Sequence, residues 1–297
     1  MKRMQFDEFS NLVVERVKDF LPEEFEKASV SLQVVTKAND VKLTGLTISS
    51  FQSNVAPTIY LESFYEKYED GEDVDAILKR IAEVRLEHEV TDDFDTSLVT
   101  DFDRCKHLIV PRLVSVDMNM EMLERRPHML MDELAVFYCI HLDCCKDGTA
   151  SIAITNDILK MWNMDVEDLH ELAVNNLPSV LPSTFKGMSE VMMEMTGMEF
   201  PDVDEKMFVL SNVQKVNGAS ALLDKEIMKA VIDRVGTDFY ILPSSLHEVL
   251  IVPADAGMDV SDLEAMVREV NNTQVSIEDK LSDFVFKYSA DAGIFRA

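Results

Sequence analysis

The chain predicts an α+β fold: an antiparallel or mixed sheet built from hairpin-plus-helix units, with a smaller α+β domain at the amino-terminal end. Three observations predict it. Apolar, β-prone runs come in pairs around short turns, most clearly residues 238–242 and 249–252 on either side of Pro243-Ser244-Ser245-Leu246-His247-Glu248. A stretch that reads as a capped helix start, Met164-Asp165-Val166-Glu167-Asp168-Leu169, echoes as Met258-Asp259-Val260-Ser261-Asp262-Leu263, each time after a hairpin. Hydrophobic residues make up 47% of the chain, with nine Gly and nine Pro, so sizeable cores are available and a fibrous or disordered chain is excluded.

At 297 residues the chain suggests two domains, on a rough scale of about 150 residues each. Phe6, Phe9, Val13, Val17 and Phe20 recur at helical spacing until Pro22. Residues 29–35 and 41–48 flank Lys37-Ala38-Asn39-Asp40 and read as a hairpin. A second helical region begins near Thr58, with Tyr60, Leu61, Phe64, Tyr65 and Tyr68 as an aromatic stripe. Gly71 interrupts it, and Val74, Ile77, Leu78 and Ile81 resume it. From Glu62 to Arg104 there are 15 acidic and 5 basic residues, a local balance of −10, and residues 87–103 mark the best boundary. The division is therefore 1–104, an amino-terminal α+β domain with its acidic linker, and 105–297, the carboxy-terminal α+β domain. The acidic stretch reads as a solvated helix end and linker; its sharper reading is a face for a basic partner or a nucleic-acid mimic.

Beyond it, residues 107–110 and 112–116 are extended around Pro111, which favours an edge strand. Residues 134–142 and 150–154 bracket Asp147-Gly148, a hairpin signal. Thr155-Asn156-Asp157 then opens a helix through Ile158, Leu159 and Trp162. Five methionines (Met188, Met192, Met193, Met195 and Met198) fall around Gly187 and Gly197 and read as a mobile flap or loosely packed helix, or else a partner groove. Asn217-Gly218-Ala219-Ser220 follows a strand and opens a helix over 219–235. Its free amides suit an anion, but the P-loop pattern and its lysine are missing.

Fifty-five acidic against 28 basic residues give a net charge of −27. Such a field repels nucleic-acid phosphates and anionic membranes, so no direct nucleic-acid binding and no membrane association are expected. No apolar run approaches a membrane span, and the first residues do not form a secretory signal; the expected location is the cytoplasm. Cys105, Cys139, Cys144 and Cys145 have no C-x-x-C spacing and are expected as free thiols, Cys139 as core filling. The six histidines are scattered, with no H-E-x-x-H pair, so neither a metal nor a cofactor is expected.

One place gathers nucleophile, base and acid types. Ser244 or Ser245 is placed to attack an acyl group, His247 to take its proton, and Glu248, Asp238 or Asp255 to orient the imidazole. The competing reading is turn structure, with serine hydroxyls bonded to neighbouring amides and His247 bridging chain ends.

Several of these stretches resemble known proteins. Ile152-Ala153-Ile154-Thr155-Asn156-Asp157 with Leu159-Lys160 and Trp162, Met207-Phe208-Val209-Leu210-Ser211-Asn212, Gly218-Ala219-Ser220-Ala221-Leu222-Leu223, and Asp238-Phe239-Tyr240-Ile241-Leu242-Pro243-Ser244-Ser245 with His247-Glu248-Val249 are similar to the YtpQ-like proteins of Gram-positive bacteria. The closer resemblance is to a sister group, domain-of-unknown-function family 5688, found in gut bacteria and their mobile elements. It covers residues 108–275 well and the first hundred more loosely. The resemblance implies a bacterial protein and transfers no activity or catalytic residue. The expected function is that of a non-catalytic acidic binding or accessory protein with a basic protein as partner. The alternative is a hydrolase using the cluster from Ser244 to His247.

Overall fold

Phe9, Val13 and Val17 recur every fourth residue and all three are fully buried. That stripe makes helix α1 (Phe6–Arg16), which tightens into a 3₁₀ turn at Val17–Phe20. The computed structural model describes residues 3–49, 56–88, 95, 97–145, 148–198, 205–236 and 238–297. They form two units, Met1–Lys37 with Val41–Thr96, and Ala38–Asp40 with Ser97–Ala297.

In the first unit, strands β1 (Ser29–Thr36), β2 (Lys42–Ser49) and β3 (Thr58–Tyr60) form an antiparallel sheet in that order. Leu46 stands opposite Leu32 on one side and Ile59 on the other. The helical region expected from Thr58 therefore starts later. Thr58 and Ile59 are β-branched and complete the sheet edge, and α2 (Glu62–Glu69) follows. Helix α3 (Val74–Glu87) is capped by the Asp73 carboxylate, which accepts from the amides of Asp75 and Ala76, and it buries Ile77, Leu78 and Ile81. Most of the densest acidic run, at 89–94, lies outside the described residues.

The second unit opens with two short helices, α4 (Ser97–Thr100) and α5 (Phe102–Cys105). Strand β4 (Ile109–Ser115), helix α6 (Met120–Glu124) and strands β5 (His128–Met131), β6 (Leu134–Cys145) and β7 (Gly148–Ala153) follow. β4 pairs with one side of β6; β5 and β7 share the other, all antiparallel. Pro111 lies on edge strand β4, where its missing N–H costs no ladder bond. The turn residues Lys146 and Asp147, and the side chains of Cys144 and Cys145, lie outside the described ones.

Helix α7 (Asn156–Met161) starts on Thr155, whose hydroxyl accepts from the Ile158 amide, and α8 (Val166–Val180) starts on Asp165, which accepts from the Asp168 amide. Then come β8 (Ser183–Gly187), α9 (Met188–Thr196), β9 (Phe208–Asn212), α10 (Lys225–Val235), β10 (Phe239–Leu242), β11 (Val249–Pro253), α11 (Val260–Thr273), β12 (Phe286–Ser289) and β13 (Gly293–Arg296). The six strands form an antiparallel sheet in the order β13-β12-β10-β11-β9-β8. The two echoed units thus feed different sheets, and the Asp259 side chain, unlike that of Asp165, takes no cap bond.

Both faces of the six-stranded sheet are covered. Phe239, Ile241, Val249 and Ile251 join a core shared with Ile109 and Leu113 of β4 and Tyr138 and Ile140 of β6. Leu242 and Val252 point the other way, onto Leu263 and Val267 of α11. This is why residues 239–242 read as a continuous apolar run. The single helix expected over 219–235 is divided: a 3₁₀ segment (Gly218–Leu223) ends at Asp224, which is extended and caps α10 through the amides of Glu226 and Ile227. Asp224 also accepts from the Ser183 hydroxyl at 2.7 Å, so its carboxylate is buried with partners.

Candidate functional site

Strands β10 and β11 set Ile241 opposite Ile251 and Leu242 opposite Leu250, and this pairing fixes both ends of the 243–248 turn. Within it, the Ser244 hydroxyl donates to the Glu248 carbonyl at 3.4 Å, and the Ser245 hydroxyl accepts from the His247 amide at 3.0 Å. Neither hydroxyl is hydrogen-bonded to the imidazole. The ring is held from elsewhere: Nδ1 accepts the Asn217 amide at 3.1 Å, and Nε2 faces Asp279 Oδ1 at 3.1 Å.

Those two bonds determine the tautomer. A nitrogen that accepts a backbone N–H carries no proton, so the hydrogen is on Nε2 and is donated to Asp279. Asp279 in turn accepts from the Ser276 hydroxyl at 2.7 Å, and its backbone carbonyl accepts the Leu246 amide at 2.7 Å. The His247 carbonyl takes the Ser211 hydroxyl at 2.7 Å.

The segment 211–220 closes the cluster. Asn212 Oδ1 accepts the amides of Gln214 and Val216, while Lys215 and Asn217 take left-handed backbone conformations. A Cβ at Gly218 would lie 2.3 Å from the His247 carbonyl and 2.2 Å from the Ser211 hydroxyl, so only glycine permits this approach. Three of the four amides read as open to an anion are occupied: Asn217 by His247, Ala219 by the Leu246 carbonyl, and Ser220 by Asn217.

Of the sequence-selected residues, Ser244, Ser245, His247 and Glu248 share the turn, but Glu248 contributes its backbone carbonyl to these bonds. Asp238 faces Lys287 at 3.6 Å. The carboxylate at His247 is Asp279, 32 positions away. Its one local signal is Ser276-Ile277-Glu278-Asp279, a serine three residues before an acid; nothing in that pattern points to His247. What the cluster does chemically is join three segments. As a base, His247 has no open nitrogen lone pair, although its side chain is 37% exposed.

Helix α9 differs. Glu205 accepts from the Ser189 amide at its start, and Gly197 at φ 69° ends it. Between those caps it buries no residue. Met192, Met193, Met195 and, just beyond, Met198 are 40–74% exposed.

Among the described residues no group of three or more His, Cys, Asp or Glu is placed to hold a metal ion, and no helix is long and apolar enough to cross a membrane. A family model described as a family of unknown function (DUF5688) matches residues 6–290. No curated protein and no solved structure matches the chain.

Proposed function

The chain belongs to the DUF5688 family, and on that premise we propose that it is a non-catalytic binding protein that receives a basic, amphipathic helical segment of a protein partner on α9. The observation that carries this reading is a helix with four exposed methionines around it and no buried residue, in a chain of net charge −27. Methionine side chains are unbranched and polarisable, so they adapt to the apolar face of an incoming helix. The negative field of the chain attracts the Lys and Arg of that helix's other face and speeds encounter. On α9 itself, Glu190 and Glu194 face Lys186, leaving one net negative charge beside the methionines.

Support for binding over hydrolysis comes from the turn, where both imidazole nitrogens and both serine hydroxyls already have partners. A cytoplasmic location is part of the same proposal. Cys105 and Cys139 are buried and unpaired, as suits a reducing compartment, and burial pushes the Cys105 thiol up to about 11. Kinship with the YtpQ-like proteins, carried by the residues quoted above, also belongs to this proposal.

The test is a fluorescence titration of the full chain with a labelled Lys/Leu amphipathic helical peptide. Affinity is expected to fall about tenfold in the Met192→Gln, Met195→Gln double variant. It should also fall as salt rises from about 0.05 to about 0.5 M. Peptide binding that ignores both changes, or no binding at all, overturns the proposal.

A further inference from the structure

The sheet of the first unit ends on an open edge. β1 pairs with β2 alone, in a register that runs without a bulge from Ser29 opposite Ser49 to Thr36 opposite Lys42. Just past the strand, the Lys37 amide donates to the Val41 carbonyl at 2.8 Å; on the far side of β2, the Leu61 amide donates to the Thr44 carbonyl at 3.0 Å. Successive residues of an antiparallel strand turn their backbone groups to alternate sides. Those two bonds therefore fix the alternation: Ser29, Ser31, Gln33 and Val35 face β2, while Val30, Leu32, Val34 and Thr36 present amide and carbonyl to the open side. Among the described residues nothing bonds to those outward groups.

Sheet edges are normally blunted by charge, proline, a bulge or brevity, because unpaired backbone groups recruit another strand. Elsewhere this molecule follows the rule. β3 is three residues long, β4 carries Pro111, β8 carries Lys186, and on β13 the Asp132 carboxylate accepts the Arg296 amide at 2.6 Å. β1 uses none of these devices: it is eight residues, Ser-Val-Ser-Leu-Gln-Val-Val-Thr, with neither charge nor proline. Val30 and Leu32 pack against the first unit's core, but Val34 on the same face is 70% exposed.

A second copy of the chain meets these requirements. Set antiparallel about Gln33, two β1 strands bring Val30 opposite Thr36 and Leu32 opposite Val34 of the other copy, and each such pair exchanges two backbone bonds. Val34 is then covered by Leu32 of the second copy, as cross-strand apolar pairs favour. A two-fold axis makes the edge its own complement. Charge permits the approach: residues 27–42 hold three lysines and one acid in a chain of net charge −27, so no facing carboxylates oppose the contact. We propose that β1 is a self-association edge through which two copies join, centred on Gln33, into one continuous sheet. A single strand pair is a small interface, so association is expected at about 1–100 μM.

The experiment is sedimentation velocity of the full chain across that range. A monomer–dimer equilibrium is expected, weakened about tenfold or more in Val34→Lys and in Val34→Pro. Both should keep the parent melting temperature, since the residue 34 amide lies outside the β1–β2 ladder and the side chain is largely exposed. Dimerisation should strengthen with added salt, which screens the repulsion between two acidic chains; binding of a basic peptide responds in the opposite sense. Register is read by cysteine cross-linking with diamide, which takes up the two electrons and two protons released by the thiols. Gln33→Cys should cross-link, because the two copies of that position stand directly opposite; Ser31→Cys, whose copies are offset along the strand, should not. A monomer at every concentration, which would leave the edge to an extended segment of another protein, overturns the proposal. So does a dimer that persists unchanged in both Val34 variants, or cross-linking of Ser31→Cys as fast as Gln33→Cys.

Discussion

The turn at 243–248 and the basic cluster around Phe137, where Arg112 and His128 stand opposite it and the Arg126 guanidinium lies over its ring, are both polar clusters on strands, yet they are opposites. The turn holds Ser, Ser, His and Glu, residue types associated with catalysis, and its hydroxyls and imidazole nitrogens each have a partner within the fold. The cluster holds two arginines and a histidine, types that usually serve as surface charge, and the buried Nε of Arg112 has no hydrogen-bond partner. A satisfied hydrogen bond stabilises by about 1 kcal/mol, whereas a buried polar atom left unpaired costs about 1–3 kcal/mol. Residue type is thus a weaker guide to a cluster's role than whether its hydrogen-bonding capacity is met. Changes in the turn should register as lost stability.

The largest expected effect tests the turn. Gly218→Ala places a methyl group 2.3 Å from the His247 carbonyl and 2.9 Å from the Asn212 amide, both backbone atoms that cannot step aside cheaply. A loss of about 3 kcal/mol is expected in urea unfolding. His247→Ala comes next: it strands the Asn217 amide and removes the donor to Asp279. With the ring partly exposed, about 1–2 kcal/mol is expected. Both variants should bind the basic peptide with parent affinity once folded. If His247→Ala unfolds at the parent urea midpoint, the contrast between the two regions fails.

Much of this contrast had no signature in the sequence. The hairpin 239–242 with 249–253 was legible because alternating faces were both apolar and the turn residues were Pro and Ser. Helix α8 was legible through Asp165, and the first helix through Phe9, Val13 and Val17. Residues 58–60 were misread as helix because Tyr60, Leu61 and Phe64 fit a helical stripe, while pairing with β2 decides the backbone. Asp279 and Asn217 were invisible as partners of His247 because contacts across 30 or more residues leave no local pattern. The unpartnered Nε of Arg112 was hidden for a related reason: a hydrogen bond left unmade is a property of the packed structure alone.

A smaller effect sharpens the account of the serines. Ser245→Ala removes one acceptor for the His247 amide and should cost about 0.5–1 kcal/mol, since the turn is partly exposed and water can replace the hydroxyl. Ser244→Ala should cost less, its bond to Glu248 being 3.4 Å long. The same ordering in thermal melts supports a structural turn. A reversed ordering, or a variant more stable than the parent, marks the serines as held for something other than stability.

The smallest effect lies between the two extremes. His170 of α8 meets the hydroxyl of the fully buried Tyr138 through Nδ1 at 3.1 Å, and its other nitrogen has no protein partner among the described residues. It is therefore half satisfied, unlike His247. Burial, with the charge of Lys225 beside it, holds His170 below its ordinary value of 6.5, and burial pushes the Tyr138 hydroxyl up. The folded chain thus binds fewer protons at this site than the unfolded chain does between the two values. Stability from neutral His170 is fully present above about 6.5 and is lost as pH falls through the lower folded value. The gap in melting temperature between the parent and His170→Gln should be widest near neutral pH and should narrow on acidification. A gap that stays constant, or widens, would mean that Tyr138 does not rely on the neutral ring, and that a half-satisfied histidine here behaves as an ordinary surface residue.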